Sequence, residues 1–412
     1  MKKILYIISN PFSYSRRSVG GNISSATGVI NGFISAGYHV DIVTDTRVPT
    51  IDEDGTQLTT IYYPWKFLRS KIPYGVGGLI GRIILKIDSV LFQLAMKSKI
   101  SSLLKDNDYG LAYMRASFNG HAVADAINSS RVPLVVEVNK PLSMGIYNNS
   151  DTLKWPDAGA SIEVPLSESI QYDIATLITV DSSVRAKWVL DFVSSAYENK
   201  IIINPNGVDV NMFFPSDCDP KLRDELGLLQ NDLLVGMASS FRWYNDIDEM
   251  CQIFKYVVGN QRNVKFLIIT GDENKKSEIE ASLFEHGITP YVKLLVQVPF
   301  SEMPGYLNCC DIFISHFNFH GKWPHNCSIK HLEYLSLGKP TVATDVGEVN
   351  FAIEHNKNGF LCKEGDIEDF GDSILRLASD KELRNKLGAS GRSKAVEDLT
   401  WNKNVENIIS ML

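Results

Sequence analysis

Short unbroken apolar runs recur along the chain, separated by longer stretches with helical periodicity. Ile4 to Ser9, Val40 to Thr44, Leu111 to Ala116, Val132 to Val138 and Ala175 to Val180 are such runs, most bounded by turn formers. A continuous apolar run, as opposed to an alternating one, predicts a strand buried on both faces, the habit of parallel sheets. Helical stretches fall between: about Ile23 to Ala36, stopped by Gly37; one entered from Phe118–His121 and running through Ile127; one near 166–174; and one capped by Asp181-Ser182-Ser183. The alternation restarts after Ile201–Ile203, with strands predicted at Leu233–Ser239, Val264–Gly271, Val292–Pro299, Asp311–His316 and Thr341–Asp345. Two amphipathic helices are predicted over 367–397 and a last one over 402–411. Repeated strand–helix–strand units predict an α/β fold with two Rossmann-like, doubly wound domains. The expected divisions are 1–205, 206–395 and a terminal helix over 396–412.

Length and composition agree with that picture. A chain of 412 residues, 44% hydrophobic and 22% charged, has room for two full cores. Its net charge of −7 carries no nucleic-acid signature. Six cysteines are scattered without CxxC or zinc spacing, which predicts a reducing, cytoplasmic setting, with Cys309-Cys310 read as small buried side chains. No apolar run is long enough to span a bilayer. One segment departs from the average. Residues 62–105 hold eight basic residues against one acid, Asp88, interleaved with Tyr62, Tyr63, Trp65, Phe67 and a series of aliphatic residues. That mixture suits either an interfacial segment on anionic lipid or amphipathic helices packed on the first domain with a basic face in water.

Candidate chemistry concentrates at Cys327 to Pro340. Ser328 suits an N-cap, and Gly338 followed by Pro340 suits a helix stop. Ile329, Leu332 and Leu337 can face a core, while Lys330 and Glu333 share a face near the helix start. A helix N-terminus seats phosphate, and Lys330 adds a full charge there; Glu333 can accept hydrogen bonds from vicinal hydroxyls. An exposed ion pair on a solvated helix is the plainer reading of the same two residues. Gly20-Gly21, in the loop after the first strand, would let backbone approach a phosphate or sugar. Arg115 and Glu137 stand at the ends of two adjacent predicted strands, where an ion pair between them is the simple alternative to a binding role. His316, His320 and His325 show no ligand spacing, so no metal is expected.

The run Ser328-Ile329-Lys330, Leu332-Glu333-Tyr334 and Gly338 to Asp345 resembles the donor-site signature of retaining glycosyltransferases of the GT-B fold, closest to the large glycosyltransferase family 4. Asn358 to Leu361, Gly365-Asp366, Asn206 to Asp209 and Gly20-Gly21 continue the likeness in order. The resemblance implies an acceptor domain, a nucleotide-sugar donor domain, and a terminal helix that passes back to the first. It implies a diphosphate grip by Arg242 and Lys330, and a donor-positioning role for Glu333. Donor contacts are implied at Gly20, Gly21, Asn206, Val298, His325, Ser328, Ile329, Gly347 and Glu348, and acceptor contacts at Arg115, Glu137 and Asn139. Neither a metal nor another cofactor is implied, and retaining members of this fold are thought to lack a clear protein nucleophile.

Two positions depart from the pattern. The family's Lys-Gly pair after the arginine corresponds to Asn245-Asp246, and its motif of two glutamates separated by seven residues has His325 in the first place. The expected reaction is transfer from a UDP- or GDP-sugar to a glycan or lipid-linked glycan in cell-surface polysaccharide synthesis. It is placed in the cytoplasm, with peripheral contact at the inner membrane face. A nucleotide-sugar-binding scaffold without catalysis, and a nucleotide-sugar epimerase of the same fold, are the rival readings.

Overall fold

The computed structural model of the protein describes residues 2–8, 21–44, 56–60, 79–117, 119–139, 160–241, 244–319 and 328–412. Two compact units divide the chain: Met1–Arg16 with Val29–Pro205 and Val405–Leu412, and Arg17–Gly28 with Asn206–Asn404. The expected cut at 395 thus falls inside the helix Lys381–Asp398, and the chain rejoins the first unit only from Val405.

The first unit holds a seven-stranded parallel sheet built from β1 (Lys3–Ile8), β2 (His39–Thr44), β3 (Thr56–Thr60), β4 (Tyr109–Arg115), β5 (Leu134–Val138), β6 (Leu177–Val180) and β7 (Ile201–Ile203). Their spatial order is β3-β2-β1-β4-β5-β6-β7. The order reverses between β1 and β4, and ligands of such sheets bind beyond the strand carboxyl ends at that point. β3 was absent from the sequence pattern because Thr-Gln-Leu-Thr-Thr lacks the apolar run; it lies at the sheet edge, where polar residues are tolerated. Another difference is the helix Ala160–Ile174, which begins six residues before the helix expected near 166–174. Gln171 on that helix donates from Nε2 to the Ser117 and Ser167 carbonyls, fixing it beside the end of β4.

The second unit repeats the design with six parallel strands: β8 (Leu233–Ala238), β9 (Val264–Thr270), β10 (Val292–Val296), β11 (Ile312–Ser315), β12 (Thr341–Thr344) and β13 (Gly359–Cys362). Their order, β10-β9-β8-β11-β12-β13, reverses between β8 and β11. Apolar residues such as Val235, Phe266, Ile314 and Val342 line one face of this sheet and Leu234, Leu267, Phe313 and Ala343 the other. Arg392, on the helix Lys381–Asp398, donates to the carbonyls of Phe213, Ser336 and Val210, so one guanidinium joins three segments of this unit. Gly338 adopts φ +67° and the Cα of Gly388 lies against its carbonyl, where any Cβ would clash.

Cys218 and Cys309 are bonded to each other. This corrects the reading of Cys309 as a small buried thiol, and cysteine usage therefore no longer argues for a reducing compartment. The crosslink closes a separation of 91 residues. Replacing both cysteines by serine should lower unfolding stability by about 2–4 kcal/mol in a urea titration. An equal stability for the two forms would show that the bond constrains little.

Candidate active site

The helix Ile329–Ser336 carries the densest chemistry in the second unit. Ser328 holds the N-cap position with extended backbone, yet its hydroxyl makes no capping bond to the helix. Five of the eight helical residues are buried, namely His331, Leu332, Tyr334, Leu335 and Ser336. Tyr334 stacks on Phe313 of β11 at 3.9 Å, and its hydroxyl accepts the Ala238 amide at 2.8 Å at the end of β8. His331 Nε2 lies 2.7 Å from the Ser315 hydroxyl at the end of β11. The helix is thereby fastened across the two strands that flank the reversal, with its first turn at the carboxyl edge of the sheet.

Lys330 in that first turn and Glu333 at the start of the second are both half-buried. The Lys330 ammonium sits over the Phe317 ring, 4.6 Å from its centroid. The plainer reading, an exposed pair on a solvated helix, is therefore wrong for this chain. Crowding strips solvent from both groups. Burial pushes the Lys330 ammonium down to about 7, opposed by the nearby Glu333 charge. Burial likewise pushes the Glu333 carboxyl up to about 7, opposed by Lys330. His331 is driven down to about 3 by burial and by Lys330, so it is neutral at physiological pH. A desolvated cation and a desolvated carboxyl at a strand's carboxyl edge are the setting in which functional groups are tuned.

The loop after β11 is held from several sides. The Phe317 amide donates to the Thr344 hydroxyl at 3.0 Å, at the end of β12. Asn318 Nδ2 donates to Glu249, and His316 Nε2 lies 3.1 Å from the other oxygen of the same carboxylate. Tyr244, Phe317 and Phe319 cluster with ring centroids 5.6–5.9 Å apart. Asn245 is buried: its Oδ1 accepts from Ser239, and its Nδ2 donates to the His316 carbonyl at 3.1 Å. Asp246 caps the helix Ile247–Asn260 by accepting the Glu249 amide. The positions where the family carries Lys-Gly thus serve here to tie the β8 and β11 loops together.

Two non-glycine residues at this edge are left-handed, Phe241 at φ 46° after β8 and Gln297 at φ 56° after β10. Each costs about 1 kcal/mol of backbone strain, a cost that tends to persist at functional edges. Val298, expected to approach a nucleobase through its backbone, buries its side chain in the core. Gly347 is left-handed at φ 59°, and with Glu348 it leads into the short helix Val349–Ala352, which packs beside the helix Ile329–Ser336. Asn206 lies in an extended connection whose next residue, Gly207, abuts the Trp401 amide, where a Cβ would stand 2.5 Å away. Gly20, Arg242 and His325 lie outside the described residues, as do 62–78 and 140–159.

Arg115, Glu137 and Asn139 belong to the first unit. Arg115 and Glu137 are register partners on β4 and β5, and the guanidinium grips the carboxylate at 2.9 and 3.1 Å. Tyr113 adds a third hydrogen bond to Glu137 at 3.1 Å. Gly21 opens the helix Gly21–Ser35. Sequence reasoning missed Ser315, Phe317, Thr344, His331 and Glu249. Only His331 left a sign, a polar ring inside an apolar helical run.

Among the described residues no group of three His, Cys, Asp or Glu side chains has metal-binding geometry, and no helix is long and apolar enough to cross a membrane. Residues 219–394 match a family model described as glycosyl transferases group 1. Over 235 residues the chain is 28% identical to the capsular polysaccharide biosynthesis glycosyltransferase CapM of Staphylococcus aureus, covering 56% of this chain and 59% of that protein. It is 24% identical over 211 residues to the UDP-Gal:alpha-D-GlcNAc-diphosphoundecaprenol alpha-1,3-galactosyltransferase of Escherichia coli, covering 51% and 53% respectively. The matches therefore span little more than half of these relatives' length. The solved structure of Anabaena Alr3699/HepE in complex with UDP-glucose shares the fold, with a TM-score of 0.70 at 17% identity and coverage of 100% of both chains.

Proposed function

We propose that this protein, whose residues 219–394 match the model of glycosyl transferases group 1 and whose fold is shared with a UDP-glucose-bound structure, is a retaining glycosyltransferase of the GT-B fold. It moves a sugar from a UDP- or GDP-linked donor to a glycan or lipid-linked glycan, at the cytoplasmic side of a membrane, in the synthesis of a surface polysaccharide. The observation that carries the reading is the pair of half-buried groups, Lys330 and Glu333, near the start of a helix fastened across the sheet reversal.

In this reading the reaction breaks the bond between the anomeric carbon and the diphosphate, and negative charge grows on the departing phosphate. Lys330 meets that charge, helped by the amides of its helix's first turn and by Arg242. Phe317 supports the ammonium from below through its ring face. Glu333 accepts hydrogen bonds from donor hydroxyls, and Gly347-Glu348 lie on the far side of the donor sugar. The acceptor hydroxyl attacks from the leaving-group face, its oxygen bonding the anomeric carbon while its proton passes to the departing phosphate, so no protein nucleophile is assigned. Charge stabilisation is left to side chains and amides, and no metal is invoked. The relatives support the acceptor class: one is named for capsular polysaccharide, the other for a sugar on diphosphoundecaprenol.

A binding protein without turnover is the second reading. What favours it is Asn245, which stands where the family has a lysine and is committed to structural bonds. A thermal-shift and hydrolysis screen of UDP-, GDP-, ADP- and dTDP-sugars separates the two. One donor should stabilise the protein and turn over slowly without acceptor, and Glu333→Ala should weaken its binding about 10–100-fold. Stabilisation with no hydrolysis or transfer would select the binding protein, and no stabilisation by any donor would remove both.

A further inference from the structure

We propose that Glu249 is a positioning residue for the transfer reaction: its carboxylate sets the Phe317 ring beneath the Lys330 ammonium. The inference rests on the reading of Lys330 as the group that meets the departing diphosphate. Glu249 stands in the first turn of the helix Ile247–Asn260 and is only 9% exposed. A carboxylate at that depth is costly unless other groups satisfy it, and the helix N-terminus offsets part of the cost. An apolar side chain would fill the same place without that cost, so packing alone does not account for the charge.

The partners account for it. Both carboxylate oxygens face the segment that leaves β11: Oε1 lies 3.1 Å from His316 Nε2, and Oε2 accepts from Asn318 Nδ2. Residues 316 and 318 thus send their side chains to one group. Phe317 and Phe319 alternate with them along the chain, and their rings cluster with Tyr244 instead. The backbone of this segment is fixed independently. The amides of Phe317, Asn318 and Phe319 donate to the Thr344 hydroxyl, the Tyr244 carbonyl and the Glu364 carboxylate, and the His316 carbonyl accepts from Asn245. Those bonds hold the path of the chain, while the clamp on Glu249 fixes which face of it meets the helix Ile329–Ser336. That face presents Phe317, whose buried ring has the Lys330 ammonium 4.6 Å from its centroid and the His331 ring edge-on at 6.1 Å. Glu249 therefore acts on Lys330 through Asn318 and Phe317. A cation that must meet charge growing on one departing group loses much of its effect when displaced by about 1 Å.

The test is steady-state hydrolysis of the UDP-, GDP-, ADP- or dTDP-sugar that the wild type turns over, with calorimetry of donor binding to the full chain. Glu249→Ala should lower kcat about 10–100-fold while the donor KM moves less than about threefold. Donor-binding stoichiometry should be unchanged, which separates misplacement from loss of folded protein. Asn318→Ala, at a half-buried position, breaks the same bond from its other end and carries the test where the substitution at 249 does not fold. It should also lower kcat, and the two substitutions together should cost no more than the larger single loss. The comparison that assigns the role is made in Lys330→Met. There Glu249→Ala should slow turnover no further, whereas a general weakening of the fold would slow both backgrounds alike. Two results would overturn the proposal and leave the transferase reading standing: both single variants within about twofold of the wild-type kcat, or a loss that persists in full beside Lys330→Met. A wild type that turns over none of these donors would remove that reading and this inference with it.

Discussion

Lys330→Met should lower donor turnover by about 10²–10³-fold and at the same time make the protein harder to unfold. The two effects share one cause. Folding takes the Lys330 ammonium out of water, and its affinity for the proton falls to about 7. Between pH 7 and its ordinary value of 10.5 the unfolded chain holds a proton that the folded chain has given up. The cost of the buried cation is complete below pH 7 and fades as pH rises through that window. Glu333 mirrors it: raised from 4.5 to about 7, its cost appears as pH climbs between those values and is complete above. Near neutrality the site bears most of both costs. Removing the cation should therefore add about 1–3 kcal/mol in urea unfolding at pH 7. A diphosphate restores the lysine's hold on its proton, so donor binding at pH 8 should take up protons, measurable by calorimetry in buffers of different ionisation enthalpy. Donor affinity should fall above pH 7, and Lys330→Arg should flatten that limb. A pH-independent affinity, or a methionine variant that turns over normally, would separate Lys330 from the leaving group.

Arg115→Met should destabilise the first unit by about 3 kcal/mol, a larger loss than an acceptor contact alone would produce. The substitution removes the two-pronged grip on Glu137 and leaves a buried carboxylate beside Tyr113. The burial of that hydroxyl, together with the Glu137 charge, already holds Tyr113 well above its usual range. Arg115→Met/Glu137→Met should recover much of the loss, since both charges then leave together. Stability of the double variant with acceptor KM still raised would give the pair a binding role as well. Recovery of both would make the pair purely architectural.

The parallel strands could be read from the sequence because burial on both faces demands unbroken apolar runs, and Ile4 to Ile8 or Val264 to Thr270 meet that demand plainly. β3 and β13 could not: one is a threonine-rich edge strand, the other four residues opening on glycine. At the site, the helix, its stop at Gly338 and the pairing of Lys330 with Glu333 on one face were legible from local chemistry. What holds that helix was not. Ser315 and Ala238, its partners, lie 16 and 96 residues away, and no spacing rule connects them. Asn245 shows the same limit from the other direction. As a residue type it reads as a missing cation; in the fold it is a brace between two loops. Connectivity of six cysteines is likewise silent in sequence, and the bond between Cys218 and Cys309 emerged only from the fold.

The first unit is assembled from chain that is not contiguous. Val405 and Ile408, both fully buried, belong with residues that end at Pro205, and Asn407 reaches Asn204. About 200 residues are therefore synthesised between the body of this unit and its closing segment. At about 5–20 residues per second, a nascent seven-stranded sheet waits roughly 10–40 s on the ribosome for the piece that completes it. The second unit, by contrast, has emerged almost whole before the first is finished. Maturation of the first unit is thus set by residues 405–412, and a deletion of that segment strikes the half that was made first.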